Sequence, residues 1–207
     1  MDARAHWESV YTRVPDSLTS WYQEIPTTSL ELIEHASIPH DSPILDAGGG
    51  DSTLVDHLLR RGYTEVAVLD VSRAALDRAR ARLAGDAARV RWLLGDILRV
   101  CLGNSSIALW HDRAAFHFLT GEADRAAYVA QLQRILMPNG QVIIATFADD
   151  GPALCSGLPV VRYSSDSLSA TLGSRFRLEE WRRVVHVTPR GDEQPFIYGR
   201  FILTPPG

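Results

Sequence analysis

Ile44-Leu45-Asp46-Ala47-Gly48-Gly49-Gly50-Asp51-Ser52 is the stretch that decides the fold. Residues 43–47 are apolar apart from one carboxylate, the pattern of a short strand buried on both faces. Three glycines follow at once. Lacking Cβ atoms, they let the chain turn tightly and let a ligand come close to the backbone. Leu54, Val55, Leu58 and Leu59 then recur at helical spacing, in a helix opened near Asp51 or Ser52 and closed by Gly62. Strand, glycine turn and helix in this order begin a βαβ unit. In an open α/β sheet, ligands lie outside the carboxyl ends of the strands.

Working outward, the same alternation repeats. Residues 66–70 read as a second strand, and Ser72 caps a helix that turns Leu76, Ala79 and Leu83 to one face. Residues 90–93 form a third strand, stopped by Gly95-Asp96, and 107–110 a fourth, running toward Asp112. A helical pattern over 122–137 ends at Pro138-Asn139-Gly140, and 141–147 is a fifth strand. A loop over 149–163 and a short helix near 164–173 lead to two long segments, 176–188 and 194–204. Their link, Pro189-Arg190-Gly191-Asp192-Glu193, makes them an antiparallel hairpin. The expected architecture is therefore one α/β domain over 1–207. It has a doubly wound, mostly parallel seven-stranded sheet that ends in a C-terminal antiparallel hairpin. Residues 1–40 predict a helical lid: aromatic-rich pieces over 2–13 and 18–24, then a helix over about 28–37 opened by the Thr28–Glu31 capping-box spacing. The sheet and the acceptor-side loops fill 41–207.

The 207 residues, 45% hydrophobic and 22% charged, suffice for one sizeable core. The net charge is -4, and the arginines of 73–91 alternate with Ala, Leu and Asp as on a solvated helix face. A nucleic-acid partner is not expected. No apolar run approaches the ~20 residues that span a bilayer, and the first seven residues hold no signal-peptide core. Cys101 and Cys155 are too few for a disulfide framework or a four-ligand zinc site. The expectation is a cytoplasmic protein without a metal or a membrane partner, its oligomeric state left open.

Each of the first four strands ends in a carboxylate: Asp46, Asp70, Asp96 and Asp112. A nucleoside that also carries a cation would use such an edge. Gly48, Gly49 and Gly50 allow close approach. Asp70, with Val71 beside it, stands 24 residues after Asp46 and can accept both ribose hydroxyls. Asp96 can accept from an adenine amine while Ile97 packs on the ring, and Asp46 suits a positive amino group. A nicotinamide dinucleotide fits less well. Its G-x-G-x-x-G/A fingerprint would need a small residue where Thr53 stands, and Asp51 beside the helix start would repel a pyrophosphate.

The chain resembles class I S-adenosylmethionine-dependent methyltransferases over almost its whole length. The resemblance rests on residues 44–52, then Val68-Leu69-Asp70-Val71-Ser72, then Leu94-Gly95-Asp96-Ile97, with Leu136-Met137-Pro138-Asn139-Gly140 similar to the family's L-x-P-G-G turn. It implies the Rossmann-like methyltransferase fold and S-adenosylmethionine as cofactor, held by Asp46, the three glycines, Asp70, Val71, Asp96 and Ile97, with Asp112 near its methionine part. Trp21-Tyr22 and Trp110-His111-Asp112-Arg113 look like a subgroup that holds both protein-lysine and small-molecule methyltransferases. On this reading Tyr22 lies near the methionine moiety, and Trp21, Cys155 and Arg162 face the acceptor. His117 and Asp112 are candidate bases for an amine acceptor. The expected activity is in-line methyl transfer to a small molecule such as a thiol or amine, with protein lysine as the alternative acceptor. The fourth strand lacks an Asn-Pro-Pro-Tyr-like segment, which disfavours nucleic acid.

Overall fold

The computed structural model describes residues 3–205. Five parallel strands come first: β1 (Ile44–Ala47), β2 (Val66–Asp70), β3 (Val90–Leu94), β4 (Ile107–Arg113) and β5 (Leu136–Phe147). A two-stranded flap of β6 (Leu154–Cys155) and β7 (Leu158–Pro159) stands apart. The hairpin of β8 (Phe176–Val187) and β9 (Glu193–Leu203) completes the large sheet, in the order β3-β2-β1-β4-β5-β9-β8. β9 runs antiparallel to β5, and β8 antiparallel to β9. This is the doubly wound seven-stranded sheet read from the sequence. Strand order reverses between β1 and β4, and a crevice opens there at the carboxyl ends.

Alternation along the strands divides the core into two layers. Ile44, Val66, Val68 and Leu109 face α2 (Thr27–His35) and α3 (Leu54–Arg60). Leu45, Ala67, Leu69, Trp110, Val142 and Ile144 face α5 (Glu122–Ile135) and α6 (Ser165–Leu172). Helix α1 (Ala3–Arg13) lies against α4 (Arg73–Leu83). The expected start of α1 at Asp2 lies outside the described residues. Ser72 caps α4 by accepting from Ala75 N, and Ser164 forms a capping box with Ser167 at α6. Among the described residues no helix is long and apolar enough to cross a membrane.

Three local expectations need correction. Helix α2 starts at Thr27 behind Pro26 without a side-chain cap, so the Thr28–Glu31 box does not form. Residues 18–24 are not helical: a 3-10 turn, Asp16–Leu18, passes into an irregular strap. Pro138-Asn139-Gly140 does not end a helix. Helix α5 stops at Ile135, and the three residues form a bulge inside β5, where Ile107 pairs with Leu136 but Leu109 with Gln141. Asn139 takes the left-handed conformation that the bulge requires, φ 59°.

Asp112 ties the far end of β4 together. Its fully buried carboxylate accepts from Ala115 N and Phe116 N at 3.0 Å each and from the Tyr128 hydroxyl at 2.8 Å. Trp110 Nε1 donates to that same hydroxyl at 2.9 Å. Burial pushes the Asp112 carboxyl up to about 6. Removing the hydroxyl strands both a buried acceptor and a buried donor. Tyr128→Phe should therefore destabilise the fold by about 1–3 kcal/mol, read as a lower midpoint in urea.

Candidate active site

Two cavities lie at the carboxyl edge of the sheet. The larger, about 740 Å³, is bounded on one side by Gly48, Asp70, Val71, Gly95, Asp96 and Ile97, and on the other by Trp7, Trp21, Phe118 and Cys155. The smaller, about 40 Å³, is lined by Asp46, Gly49, Asp51, Tyr22 and Thr53. Tyr11, Trp21, Gly48 and Arg113 border both.

The glycine turn explains its own composition. Gly48 and Gly50 have φ of +70° and +55°, and a Cβ on Gly49 would lie 2.5 Å from Asp46 Oδ2 and 2.9 Å from Val68 Cγ1. Gly48 N and Gly49 N both donate to Leu69 O, at 2.8 and 3.2 Å, which folds the turn over the end of β2. A Cβ on Gly50 would meet the Tyr11 hydroxyl at 2.4 Å. The loop is thus a cradle with no room for side chains.

Around the cradle the carboxylates differ in how far they are satisfied. Asp70 Oδ1 accepts from Ser72 N at 2.8 Å, and burial pushes its carboxyl up to about 7. Asp96 Oδ1 accepts from Leu98 N at 2.8 Å. Asp46 Oδ1 is held by His111 Nδ1 at 2.8 Å, while Oδ2 is buried with no partner. Arg113 Nε donates to the Tyr198 hydroxyl and Nη1 to Trp21 O, both at 2.9 Å. Its guanidinium stands 4.7 Å over the Phe196 ring, and Nη2 is buried without a partner. One acceptor and one donor, each orphaned, therefore belong to residues of the smaller cavity.

The N-terminal region flanks the crevice. Glu8 accepts from Ser72 Oγ at 2.8 Å and from Ala74 N at 3.3 Å, docking α1 on the start of α4. Trp7 then contacts Phe118 and Trp21, with ring centroids 5.0 and 5.8 Å apart, and Tyr11 contacts Trp21 at 5.8 Å. Four side chains hold the strap by its carbonyls. His186 Nε2 donates to Ser20 O at 2.8 Å, Arg113 to Trp21 O, Thr53 to Gln23 O at 2.9 Å, and His57 to Glu24 O at 3.1 Å.

Of the residues singled out in the sequence, Asp46, Gly48, Gly49, Asp70, Val71, Asp96, Ile97, Trp21, Tyr22 and Cys155 line the cavities. Gly50 sits just behind, against Tyr11. Three do not reach them. Asp112 is consumed by its three donors. His117 is fully buried against Phe118 and Phe147, neither ring nitrogen has a partner, and burial lowers it to about 3. Arg162 is exposed and donates to Gly151 O at 3.1 Å. Glu8, His111 and Phe118 were not marked as functional. The only hint for α1 was Trp7 and Tyr11 four apart on one helical face.

Residues 44–140 match the family model for a methyltransferase domain. The chain is 22% identical over 160 residues to human EEF1A lysine methyltransferase 2, covering 70% of this chain and 68% of that one. Burkholderia thailandensis 1,6-didemethyltoxoflavin-N1-methyltransferase, solved with 1,6-didemethyltoxoflavin and S-adenosylhomocysteine, superposes with a TM-score of 0.79. It is 22% identical, and the match covers 98% of this chain and 87% of that one. A structure concerned with converting a disulfide bond into a thioacetal group during echinomycin biosynthesis gives a TM-score of 0.76 at 21% identity, over 97% and 93% of the two chains. At these identities the two structural likenesses speak for the fold.

Two measurements follow from the burial. Ribose hydroxyls donate to a charged carboxylate, whereas Asp70 holds its proton below about pH 7. A ribose seated on Asp70 would have to expel that proton; on that placement affinity for S-adenosylhomocysteine should fall as pH drops from 8 to 6, and Asp70→Asn should flatten the trend in calorimetry. Cys155 is buried and its thiol is pushed up to about 12, while Cys101 is exposed. Maleimide at pH 8 should label Cys101 and spare Cys155, as read by peptide mass spectrometry.

Proposed function

We propose that this chain, as a class I S-adenosylmethionine-dependent methyltransferase, methylates a small molecule, a thiol or an amine, seated in the aromatic-walled part of the larger cavity. The observation that carries this reading is the wall of Trp7, Tyr11, Trp21 and Phe118 that flanks the cavity beyond the strand ends. A lysine side chain arrives as a cation on a bulky partner and is served by an open, acidic rim. Among the described residues the only carboxylate lining the larger cavity besides Asp70 and Asp96 is Asp124, and Arg4, Arg99 and Arg113 also line it.

The site fits the cofactor on its own geometry: a cradle that any Cβ would fill, with an orphaned acceptor and an orphaned donor nearby. We place adenine against Asp96 and Ile97, and ribose on Asp70 beside Val71. The methionine end crosses Gly48, Gly49 and Gly50 toward Asp46, Arg113 and Tyr22. S-adenosylmethionine, when bound, supplies an electrophilic methyl group on a sulfonium. The chain contributes orientation and exclusion of water. Aligned partners gain up to ~7–11 kcal/mol over free ones, and the aromatic wall is the means of alignment. The acceptor-side walls are Trp21 and Cys155. With Asp112 and His117 out of reach, the acceptor sheds its proton to solvent before attack, as thiolate or neutral amine. Residues 1–40 act as the lid of this site, and the two free cysteines suit a cytoplasmic setting.

A second reading, protein-lysine methylation, draws on the likeness to EEF1A lysine methyltransferase 2 and on the affinity of aromatic faces for cations. Both readings share the cofactor. Calorimetry should give micromolar affinity for S-adenosylmethionine and S-adenosylhomocysteine and no signal with NADH. Asp70→Ala should weaken that binding by ~2–4 kcal/mol, because two charge-assisted hydrogen bonds are lost. A mass-spectrometric screen of thiols, amines and lysine peptides then decides the acceptor. Trp21→Ala should lower kcat/KM for the small acceptor while leaving cofactor affinity within a few-fold. Turnover on peptides alone would replace this proposal with the second reading.

A further inference from the structure

His111 stands on β4 directly beside Asp46 on β1, the two being cross-strand partners in the parallel register. Its Nδ1 lies 2.8 Å from Asp46 Oδ1, and its Nε2 lies 2.9 Å from Ser29 Oγ on α2. All three are buried: 2% exposed for Asp46, 3% for His111 and 1% for Ser29. A carboxylate only accepts, so His111 Nδ1 carries the hydrogen. In the neutral ring Nε2 then accepts from the Ser29 hydroxyl. This fixes both the tautomer and the plane of the imidazole.

The consequence falls on the other oxygen. With Oδ1 clamped, Asp46 cannot turn, and Oδ2 is held against the Cβ-free face of Gly49, buried and without a partner. Asp46 lines the smaller cavity, as does Arg113, whose Nη2 is also orphaned. A carboxylate and a guanidinium on the wall of one small cavity, each with a buried polar atom left unpartnered, complement an ammonium and a carboxylate on one carbon. We infer that His111 is a positioning residue: it holds Asp46 so that Oδ2 meets the amino group at the methionine end of the cofactor. The inference rests on the cofactor placement proposed above and adds to it a residue that touches neither cofactor nor acceptor. Ser29 extends the chain to α2, so the lid side of the molecule supports the same carboxylate.

Calorimetry with two ligands separates positioning from mere stability. S-adenosylhomocysteine carries the amino acid end, whereas 5′-methylthioadenosine has the same nucleoside without it. The wild-type chain should prefer the former. His111→Asn places an amide N–H where Nδ1–H stood and should keep the preference. His111→Gln places its amide near Nε2 and withdraws the donor from Asp46, and His111→Leu removes it outright. Both should weaken S-adenosylhomocysteine roughly tenfold, the scale of one hydrogen bond to a charged group, and leave 5′-methylthioadenosine unchanged. A preserved preference in His111→Gln and His111→Leu, or a parallel loss for both ligands, overturns the inference. Should the His111 variants fail to fold, Ser29→Ala decides alone: a selective loss for S-adenosylhomocysteine supports the inference, and no change or a parallel change overturns it. Equal wild-type affinities for the two ligands would overturn the placement of the methionine end itself, and this inference with it.

Discussion

Four carboxylates stand at one buried edge of the sheet, and each must recover the hydrogen bonds that burial takes away. How far each succeeds separates support from binding. Asp112 is satisfied three times over and holds β4 to α5. Asp70 and Asp96 each accept one backbone N–H two residues on, which aims the carboxylate and leaves acceptor capacity toward the larger cavity. Asp46 is half satisfied, and its free oxygen has no hydrogen-bond partner among the described residues. The three that keep capacity surround the glycine cradle. Asp112, which keeps none, is missing from the cavity walls.

The sheet was legible because buried parallel strands announce themselves as apolar runs, and because glycine and serine mark where β1 and β2 give way to helices. The errors have a common cause in distant partners. Residues 18–24 have the aromatic density of a helix. A helix there would need its own carbonyls, and those of Ser20, Trp21, Gln23 and Glu24 are taken by His186, Arg113, Thr53 and His57. No local pattern reveals donors 30 to 166 positions away. Pro138-Asn139-Gly140 shows the opposite failure. Its turn chemistry was read correctly, but the turn sits within a strand as a bulge, not between a helix and a strand. His117 was attractive as a titratable group flanked by aromatics. Those aromatics are what keep it dry, neutral and away from the acceptor.

The lid and the cofactor edge are built from shared parts. Ser72 caps α4, gives its N–H to Asp70 and its hydroxyl to Glu8 of α1. One residue therefore positions the Asp70 carboxylate and seats the helix that carries Trp7 and Tyr11. Arg113 does the same at the other end: it leaves one nitrogen for the smaller cavity and holds the strap through Trp21 O. The N-terminal region and the carboxyl edge of the sheet are thus tied through shared residues.

On the proposed reaction, this arrangement lets the site work without a general base. Transfer from a sulfonium neutralises charge as it proceeds, so the barrier responds chiefly to alignment and to the exclusion of competing water. The chain spends its aromatic residues accordingly. Trp7, Trp21 and Phe118 pack edge to face into a continuous wall, which stiffens the roof more than isolated rings would. The polar contribution is withdrawn to the rear of the crevice, where Asp46, His111 and Ser29 form a fixed chain behind the cradle. Rigid polar anchoring at one end and a dry apolar roof at the other set the line along which sulfur, methyl and acceptor must meet. The acceptor then brings its own nucleophile, already free of its proton, to a place the chain has prepared.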